Sequence, residues 1–173
     1  MKFLSFAFLV LVFVSCSGEK KEAEKFQPEQ VFGKDNWQKV MNEDYKVLYF
    51  LSPECPLCQN YAKAMRDLQS QFEGSGIEFI GIFPGKEYSS ADIKAYMLKY
   101  DLDFNAYLDP NMELTNKLGA ENTPEVFLLN KDNEILYSGA IDNWAISLGQ
   151  KRRVITERYL ESSLSAVLSN STI

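Results

Sequence analysis

Cys55-Pro56-Leu57-Cys58 stands between a short apolar run, residues 47–51, and a segment with the periodicity of a helix. The pattern predicts a strand that ends in a loop and delivers two cysteines to the N-terminus of a helix. The helix dipole and the free backbone N–H groups there favour the thiolate, which is the form that attacks disulfides. The second cysteine follows one turn later, where it can close the ring and release the product. The spacing therefore favours a cycling dithiol over a structural staple.

The composition limits the functions that this chain can have. Its 173 residues predict one domain with a short appendage, and 46% hydrophobic residues are enough for a packed core. A net charge of −6 and a pI near 4.8 argue against nucleic-acid binding, which needs a basic surface. The only tight basic triplet, Lys151-Arg152-Arg153, is interpreted as a solvated face rather than a phosphate site.

The N-terminus has the pattern of an export signal. Lys2 precedes an apolar run, residues 3–14, that is too short for a membrane-spanning helix, which needs about 20 residues. Val14-Ser15-Cys16 resembles the lipobox of bacterial lipoproteins, although a residue smaller than Val14 is commoner there. The resemblance implies a signal peptide over residues 1–15 and lipidation of Cys16. The alternative is an ordinary signal peptide with an incidental cysteine.

The segment after Cys16 is rich in charged residues and predicts a flexible tether over residues 16–25. The folded domain is then expected over residues 26–173. Either kind of signal places that domain outside the cytoplasm, and the lipidated form would be anchored in the bacterial cell envelope.

The chain contains three cysteines and no histidine. If Cys16 is lipidated, Cys55 and Cys58 remain as the redox pair, and no other cysteine can staple the fold. Gln59 follows Cys58 where c-type haem attachment requires histidine, and two thiols are too few for a zinc site. Triads that use histidine are excluded. No cofactor and no metal are predicted.

The remaining pattern alternates strands and helices, which predicts an α/β fold with a central sheet and helices on both faces. Asp35 has capping-box spacing with Gln38, and Ser89 has it with Asp92. The predicted helices cover residues 35–42, 57–72, 89–100, 109–118 and 154–168. The predicted strands cover 46–51, 77–83, 104–108, 126–129 and 135–138, with residues 139–150 as a loop.

A Cys-x-x-Cys motif after a strand, followed by Thr123-Pro124 before a strand and a hairpin, resembles the thioredoxin fold. The segment 96–118 is similar to the insertion of the TlpA/ResA/DsbE and peroxiredoxin-like branches of that superfamily. The stretch 119–129 is close to the Gly-x-x-x-x-Pro-Glu-x-Phe-Leu pattern of the family. The resemblance covers roughly residues 26–168 and implies a central mixed sheet flanked by helices.

The resemblance also implies roles for individual residues. Cys55 would be the exposed nucleophile and Cys58 the buried resolving thiol. Pro124 would be the cis-proline that faces the disulfide, and Thr123 would offer backbone hydrogen bonds to a bound substrate. A plain turn proline and a static disulfide are the alternatives for these positions.

Tyr49 and Glu54 depart from thioredoxin, and together with Pro56 they are expected to modulate the motif. Tyr49 stands six positions before Cys55, where thioredoxin buries a proton-shuttling acid. Glu54 replaces the usual aromatic residue, and an anion beside a thiolate raises the pKa of the thiol. Pro56 and Leu57 add no positive charge. We therefore expect a moderately low pKa for Cys55 and a reductant-like couple.

Two related families can be weighed on the same residues. Peroxiredoxins carry Pro-x-x-x-Thr-x-x-Cys, whereas this chain has Leu48 and Ser52 at the first two of those positions. Ser52 could replace the threonine hydroxyl, and Arg152 or Arg153 could supply a guanidinium, so a peroxidase is kept as an alternative. Copper-delivering Sco-type proteins need a histidine, which this chain lacks.

The loop 141–148 is similar to an Ile-Asp-Asn stretch near the C-terminus of some secreted redoxin-type proteins. It contains Trp144, which is either an aromatic residue that docks a partner or a residue folded back onto the core.

We thus expect a membrane-tethered, extracytoplasmic thiol–disulfide oxidoreductase. Its partners would be protein dithiols or disulfides and an upstream membrane reductant. A peroxiredoxin-like peroxidase that uses Cys55 and a non-catalytic docking lipoprotein with a structural disulfide are the alternatives.

Overall fold

The computed structural model describes residues 28–147 and 149–172. The strands are β1 (Glu29–Phe32), β2 (Tyr45–Phe50), β3 (Ile77–Pro84), β4 (Asn105–Asp109), β5 (Glu125–Asn130), β6 (Ile135–Gly139), β7 (Ala145–Ser147) and β8 (Gln150–Lys151). The helices are α1 (Trp37–Val40), α2 (Pro56–Gln71), α3 (Ser90–Lys99), α4 (Glu113–Leu118) and α5 (Tyr159–Leu168). The predicted α/β class is confirmed.

Six strands form one mixed sheet in the order β1-β4-β3-β2-β5-β6. Strands β2, β3 and β4 run parallel, while β1, β5 and β6 join their neighbours antiparallel. β2 lies inside the sheet and is buried from Lys46 to Phe50, as its nearly unbroken apolar sequence predicts. The Lys46 ammonium is the polar member of that run, and it donates to the carbonyls of Met41 (3.4 Å) and Glu43 (3.1 Å).

Helices cover both faces of the sheet, so the core has two layers. One layer contains the apolar residues of α2, α3 and α5, among them Met65, Ile93 and Leu164. The other layer contains Trp37 and Val40 of α1 with Leu114 of α4. Because β2 lies between the two layers, the loop that follows it starts from the interior of the molecule.

Local signals placed some helix ends correctly and others only approximately. Ser89 and Asp92 form the predicted capping box of α3. α1 is shorter than predicted, and its cap is Asn36, whose side chain accepts from the Lys39 N–H, not Asp35. α4 begins at Glu113 instead of 109, because the buried Asp109 carboxylate accepts from the N–H groups of Glu113 (2.8 Å) and Thr115 (2.9 Å).

The structure departs from the sequence prediction in three places near the ends of the domain. β1 was not predicted, although it pairs with β4 at the sheet edge. Residues 139–150 are not all loop, because β7 and β8 form a small hairpin there. α5 begins at Tyr159 instead of 154. The segment before it is held by Asn143, whose backbone N–H donates to the Glu157 carbonyl and whose side-chain amide donates to the Thr156 hydroxyl.

The predicted insertion is present as the end of α3, strand β4 and helix α4. Within residues 28–147 and 149–172, no helix has both the length and the apolar character needed to cross a bilayer. The predicted signal peptide, Cys16 and the tether lie outside the described residues.

Candidate active site

The two cysteines lie where the central strand meets the redox helix, α2. β2 ends at Phe50, and the short loop 51–54 leads into α2, with Cys55 as the N-cap residue and Pro56 in the first turn. Proline suits that position because its missing N–H would have no helical partner there. The loop is fixed by the Leu51 N–H, which donates to the Ile82 carbonyl of β3 at 2.9 Å.

Cys55 and Cys58 occupy different environments. Cys55 is partly exposed, whereas Cys58 is fully buried, and both are free thiols in this structure. The Cys55 Sγ donates to the Thr123 carbonyl at 3.1 Å, and the Thr123–Pro124 peptide bond is cis. The structure thus brings together the four residues that the sequence singled out from two distant segments of the domain.

The surroundings of Cys55 favour its thiolate. Burial alone would raise the pKa of this thiol, but hydrogen bonds from the Cys58 backbone N–H, the Thr123 and Cys58 side chains and the Leu57 N–H together hold the pKa below its ordinary value of 9.0. These N–H groups belong to the first turn of α2, where such groups have no helical acceptor. The helix N-terminus is therefore a local source of thiolate stabilisation.

Cys58 is held in the opposite state. Burial raises the pKa of Cys58 well above its ordinary value; the Ser52 backbone lowers it by less than burial raises it, and the nearby Cys55 sulfur adds a further increase. The two thiols of the pair thus differ: the surroundings of Cys55 favour its thiolate, and those of Cys58 favour its protonated form.

Tyr96 of α3 is a member of the site that the sequence did not identify as functional. Its hydroxyl donates to the Cys58 carbonyl at 3.2 Å, and the residue is buried against Phe83 and Tyr100. Burial first, and then the charges of Cys58, Tyr100 and Cys55, raise the pKa of Tyr96, so the phenol stays neutral. In the sequence, Tyr96 has the same periodicity as core residues, and nothing there distinguishes the two roles.

Tyr49 occupies the position of the buried acid of thioredoxin but cannot take over its role in proton transfer. It is fully buried in the same core layer as Cys58, and its ring lies against Phe79 and Phe104. Its hydroxyl has no hydrogen-bond partner among the described residues, and burial raises its pKa far above the ordinary value. A neutral phenol of that kind is a poor acceptor for the Cys58 proton.

Glu54 is exposed, and its carboxylate accepts from the Tyr88 hydroxyl at 3.5 Å. The same hydroxyl accepts from the Ser52 side chain at 3.2 Å. Ser52, the counterpart of the peroxiredoxin threonine, therefore turns its hydroxyl towards Tyr88. The Arg152 guanidinium donates to the Asn143 carbonyl at 2.9 Å and its backbone N–H donates to the Trp144 carbonyl at 2.8 Å, and both Arg152 and Arg153 are exposed.

Trp144 is folded back onto the redox helix, as the second of the two sequence interpretations proposed. Its ring meets the Tyr61 ring edge-on at 5.3 Å, and its backbone N–H donates to the Asp142 carboxylate at 2.8 Å. The Tyr61 hydroxyl donates to the same carboxylate at 2.7 Å. A cavity of about 420 Å³ lies beside these residues, between α2 and the segment before α5.

In the part of the chain that the structure describes, no group of three or more acidic or sulfur side chains is arranged to hold a metal ion.

Comparison with known proteins places this arrangement in a family. The sequence model of the AhpC/TSA family matches residues 20–138, which is more than half of the chain. The chain belongs to the AhpC/TSA family. The match covers the central strand, the redox helix, the insertion and the cis-proline loop of this family member, and it ends within β6.

Individual relatives are more distant. The thiol-disulfide oxidoreductase ResA of Bacillus thuringiensis subsp. konkukian is 25% identical over 122 residues, which are 68% of this chain and 69% of the relative. An uncharacterized conserved protein of Geobacillus kaustophilus is 19% identical with a TM-score of 0.74, covering 86% of this chain and 80% of that one. A secreted Mycobacterium tuberculosis disulfide oxidoreductase, homologous to E. coli DsbE, is 16% identical with a TM-score of 0.56, covering 84% and 95%. These structures show the thioredoxin-like fold of this family member.

Proposed function

We propose that this chain is a thiol–disulfide oxidoreductase that cycles Cys55 and Cys58 between dithiol and disulfide. The observation that carries the proposal is the unequal pair at the N-terminus of α2. Cys55 is accessible, lies against the Thr123 carbonyl and has a lowered pKa, while Cys58 is buried one turn behind it with a raised pKa. Similarity to the oxidoreductase ResA supports the same activity.

The first step follows from the state of Cys55. Its thiolate attacks one sulfur of a substrate disulfide, the substrate S–S bond breaks, and a mixed disulfide forms between Cys55 and the substrate. The departing substrate sulfur leaves as a thiolate and takes a proton. Thr123, whose carbonyl accepts from Cys55, and the adjoining Pro124 are both partly exposed, so an extended substrate would lie against this loop.

The second step belongs to Cys58. Once Cys55 is in the mixed disulfide, Cys58 gives up its proton and attacks the Cys55 sulfur, and the second substrate thiolate leaves. The substrate has then gained two electrons and two protons, and the chain holds a Cys55–Cys58 disulfide. A membrane reductant upstream would return it to the dithiol.

We propose the reducing direction because the stabilisation of Cys55 is limited to neutral hydrogen-bond donors. The causes that lower its pKa are backbone and side-chain hydrogen bonds, set against the opposing effect of burial. A strongly oxidising couple has a strongly stabilised reduced form, and no cationic side chain of the described residues is among the causes that lower the pKa of Cys55.

We also propose that the domain, residues 26–173, works outside the cytoplasm on a lipid anchor at Cys16. The signal pattern of residues 1–15 and the charged tether of residues 16–25 support this placement. Residues 26–173 contain no third cysteine, so no other thiol of the domain competes with the redox pair.

Trapping with C58S tests the activity. This variant can form the mixed disulfide through Cys55 but cannot resolve it, so we expect covalent partners on non-reducing gels of envelope extracts. The matched control, C55S, keeps the buried thiol and should trap none. Absence of trapped species from C58S, with both variants folded, would favour the docking lipoprotein with a structural disulfide.

A peroxidase is the second candidate, because the matched family model spans the site and Ser52 occupies the threonine position of the peroxiredoxin signature. The same C58S protein separates the two. Rapid sulfenate formation at Cys55 with hydroperoxide, together with slow reaction with protein disulfides, would favour the peroxidase.

A further inference from the structure

The loop that carries Glu54 is tied to the opposite side of the site by one phenol. Tyr88 lies between β3 and α3, half-buried, and packs against the core layer that contains Cys58. Its hydroxyl accepts from the Ser52 side chain at 3.2 Å and donates to the Glu54 carboxylate at 3.5 Å. The two residues that Tyr88 contacts therefore flank Pro53, immediately before the nucleophilic cysteine.

This loop influences both sulfurs. The Ser52 carbonyl accepts from the Cys55 N–H at 3.1 Å, and the Ser52 backbone lowers the pKa of Cys58. From the helix side, the Gln59 amide donates to the Pro53 carbonyl at 2.8 Å. Gln59 and Tyr88 thus contact the loop from opposite sides. Of the two, only Tyr88 also forms a hydrogen bond with a charged group, the Glu54 carboxylate.

The charged group is the carboxylate of Glu54, the residue that precedes Cys55 in the sequence. A carboxylate close to a thiolate disfavours it and raises the pKa of the thiol. Glu54 is exposed, so its side chain can adopt many rotamers unless a contact selects one. The contact in this structure is the Tyr88 hydroxyl, and the pKa of Cys55 lies below its ordinary value with Glu54 in that position.

We propose that Tyr88 is a positioning residue of the redox site: its hydroxyl keeps the Glu54 carboxylate on the Ser52 side of the loop and so protects the Cys55 thiolate from the adjacent charge. The role of Tyr88 in catalysis rests on the proposed function, whereas its effect on the pKa of Cys55 does not. Among the described residues, Cys58 on α2 and Tyr96 on α3 also interact electrostatically with Cys55, and both keep their protons at neutral pH because burial raises their pKa values. Glu54 is therefore the neighbouring charge that Tyr88 can move.

A double-mutant cycle tests this idea on the reduced protein. The variants are Y88F, E54Q and Y88F/E54Q, and the pKa of Cys55 is measured from thiolate absorbance and from the pH dependence of alkylation. Freed from the phenol, Glu54 should come closer to Cys55 in Y88F. We expect the pKa to rise by about 0.5 pH unit, which is about threefold less thiolate at neutral pH. In the E54Q background, the same Tyr88 substitution should leave the pKa unchanged.

The cycle distinguishes positioning from a merely structural role. A rise of equal size in the wild-type and E54Q backgrounds would mean that Tyr88 acts through the shape of the loop, and it would overturn the proposal. No rise in Y88F, or a fall, would overturn it as well. In Y88F, phenylalanine keeps the ring that packs on the core. Y107F is the matched control for the loss of a tyrosine hydroxyl, because Tyr107 lies on the opposite face of the sheet and its loss should leave the pKa of Cys55 unchanged.

The readout is independent of any partner. The pKa of Cys55 is a property of the chain itself, so the cycle can succeed even if C58S traps nothing. Conversely, trapping by C58S can succeed while the cycle shows no coupling between Tyr88 and Glu54.

Discussion

Two thiols in one helical turn behave differently because each meets a different part of the fold. Cys55 meets the unpaired N–H groups of α2 and the Thr123 carbonyl, whereas Cys58 meets the apolar layer beneath the helix. The resemblance to the thioredoxin fold implied the order of exposure, and the structure has Cys55 partly exposed and Cys58 buried. It could not predict Tyr88 or Tyr96, which come from the segment after β3 and reach the site only through the tertiary fold.

The buried Tyr49 hydroxyl, which has no hydrogen-bond partner among the described residues, leads to a stability prediction. A buried polar group without a partner destabilises a fold by about 1–3 kcal/mol relative to a satisfied one. Y49F removes that hydroxyl and leaves the ring contacts with Phe79 and Phe104 in place. We expect the reduced protein to become more stable by about 1 kcal/mol in urea denaturation, with unchanged activity.

Tyr61 is the matched control for that substitution. Its hydroxyl donates to Asp142 and accepts from the Ala145 N–H, so Y61F should lower the stability by about 1–2 kcal/mol. If Y49F is also destabilising, the Tyr49 hydroxyl has a partner and the interpretation is wrong.

At the scale of whole elements, the sequence was most informative where local signals act alone. Signals carried by neighbouring residues predicted three elements. β2 has a nearly unbroken apolar run, α2 follows a Cys-x-x-Cys motif with helical periodicity, and α3 begins with a capping box. β1, the β7–β8 hairpin and the start of α5 were missed because contacts from distant residues determine them. Asn143, for example, binds Thr156 thirteen residues later and keeps that segment out of the helix.

Asp142 joins the redox helix to this C-terminal segment and gives a second prediction. It is buried, and one of its oxygens accepts from both the Tyr61 hydroxyl and the Trp144 backbone N–H. D142A removes both bonds, so we expect a loss of about 3 kcal/mol in the free energy of unfolding, measured in urea. D142N retains an acceptor oxygen and should lose less. Equal losses in the two variants would show that charge, not the bonds, matters.

For the molecule as a whole, the difference between the two thiols determines how its reduction potential depends on pH. Reduction adds two electrons, and the number of protons taken up depends on which thiols are protonated. Below the pKa of Cys55, two protons are bound, and the potential falls by about 59 mV per pH unit. Above it, Cys55 stays a thiolate and only Cys58 binds a proton, so the slope halves to about 30 mV.

A redox titration against glutathione or dithiothreitol from pH 5 to 9 checks this. We expect a single break below pH 9.0, at the pKa of Cys55, and no second break in that range because burial raises the pKa of Cys58. At pH 7 the potential should lie nearer to that of thioredoxin, about −270 mV, than to that of DsbA, about −120 mV. A value at the DsbA end would contradict the reducing direction.

The two core layers have one more consequence. The chain has two tryptophans, and the sheet separates them: Trp37 belongs to the layer of α1 and α4, while Trp144 lies against Tyr61 of the redox helix. Indole emission responds to the local environment of each ring. This protein therefore carries two fluorophores in different environments, one beside the helix that begins at Cys55 and Cys58 and one separated from that helix by the sheet.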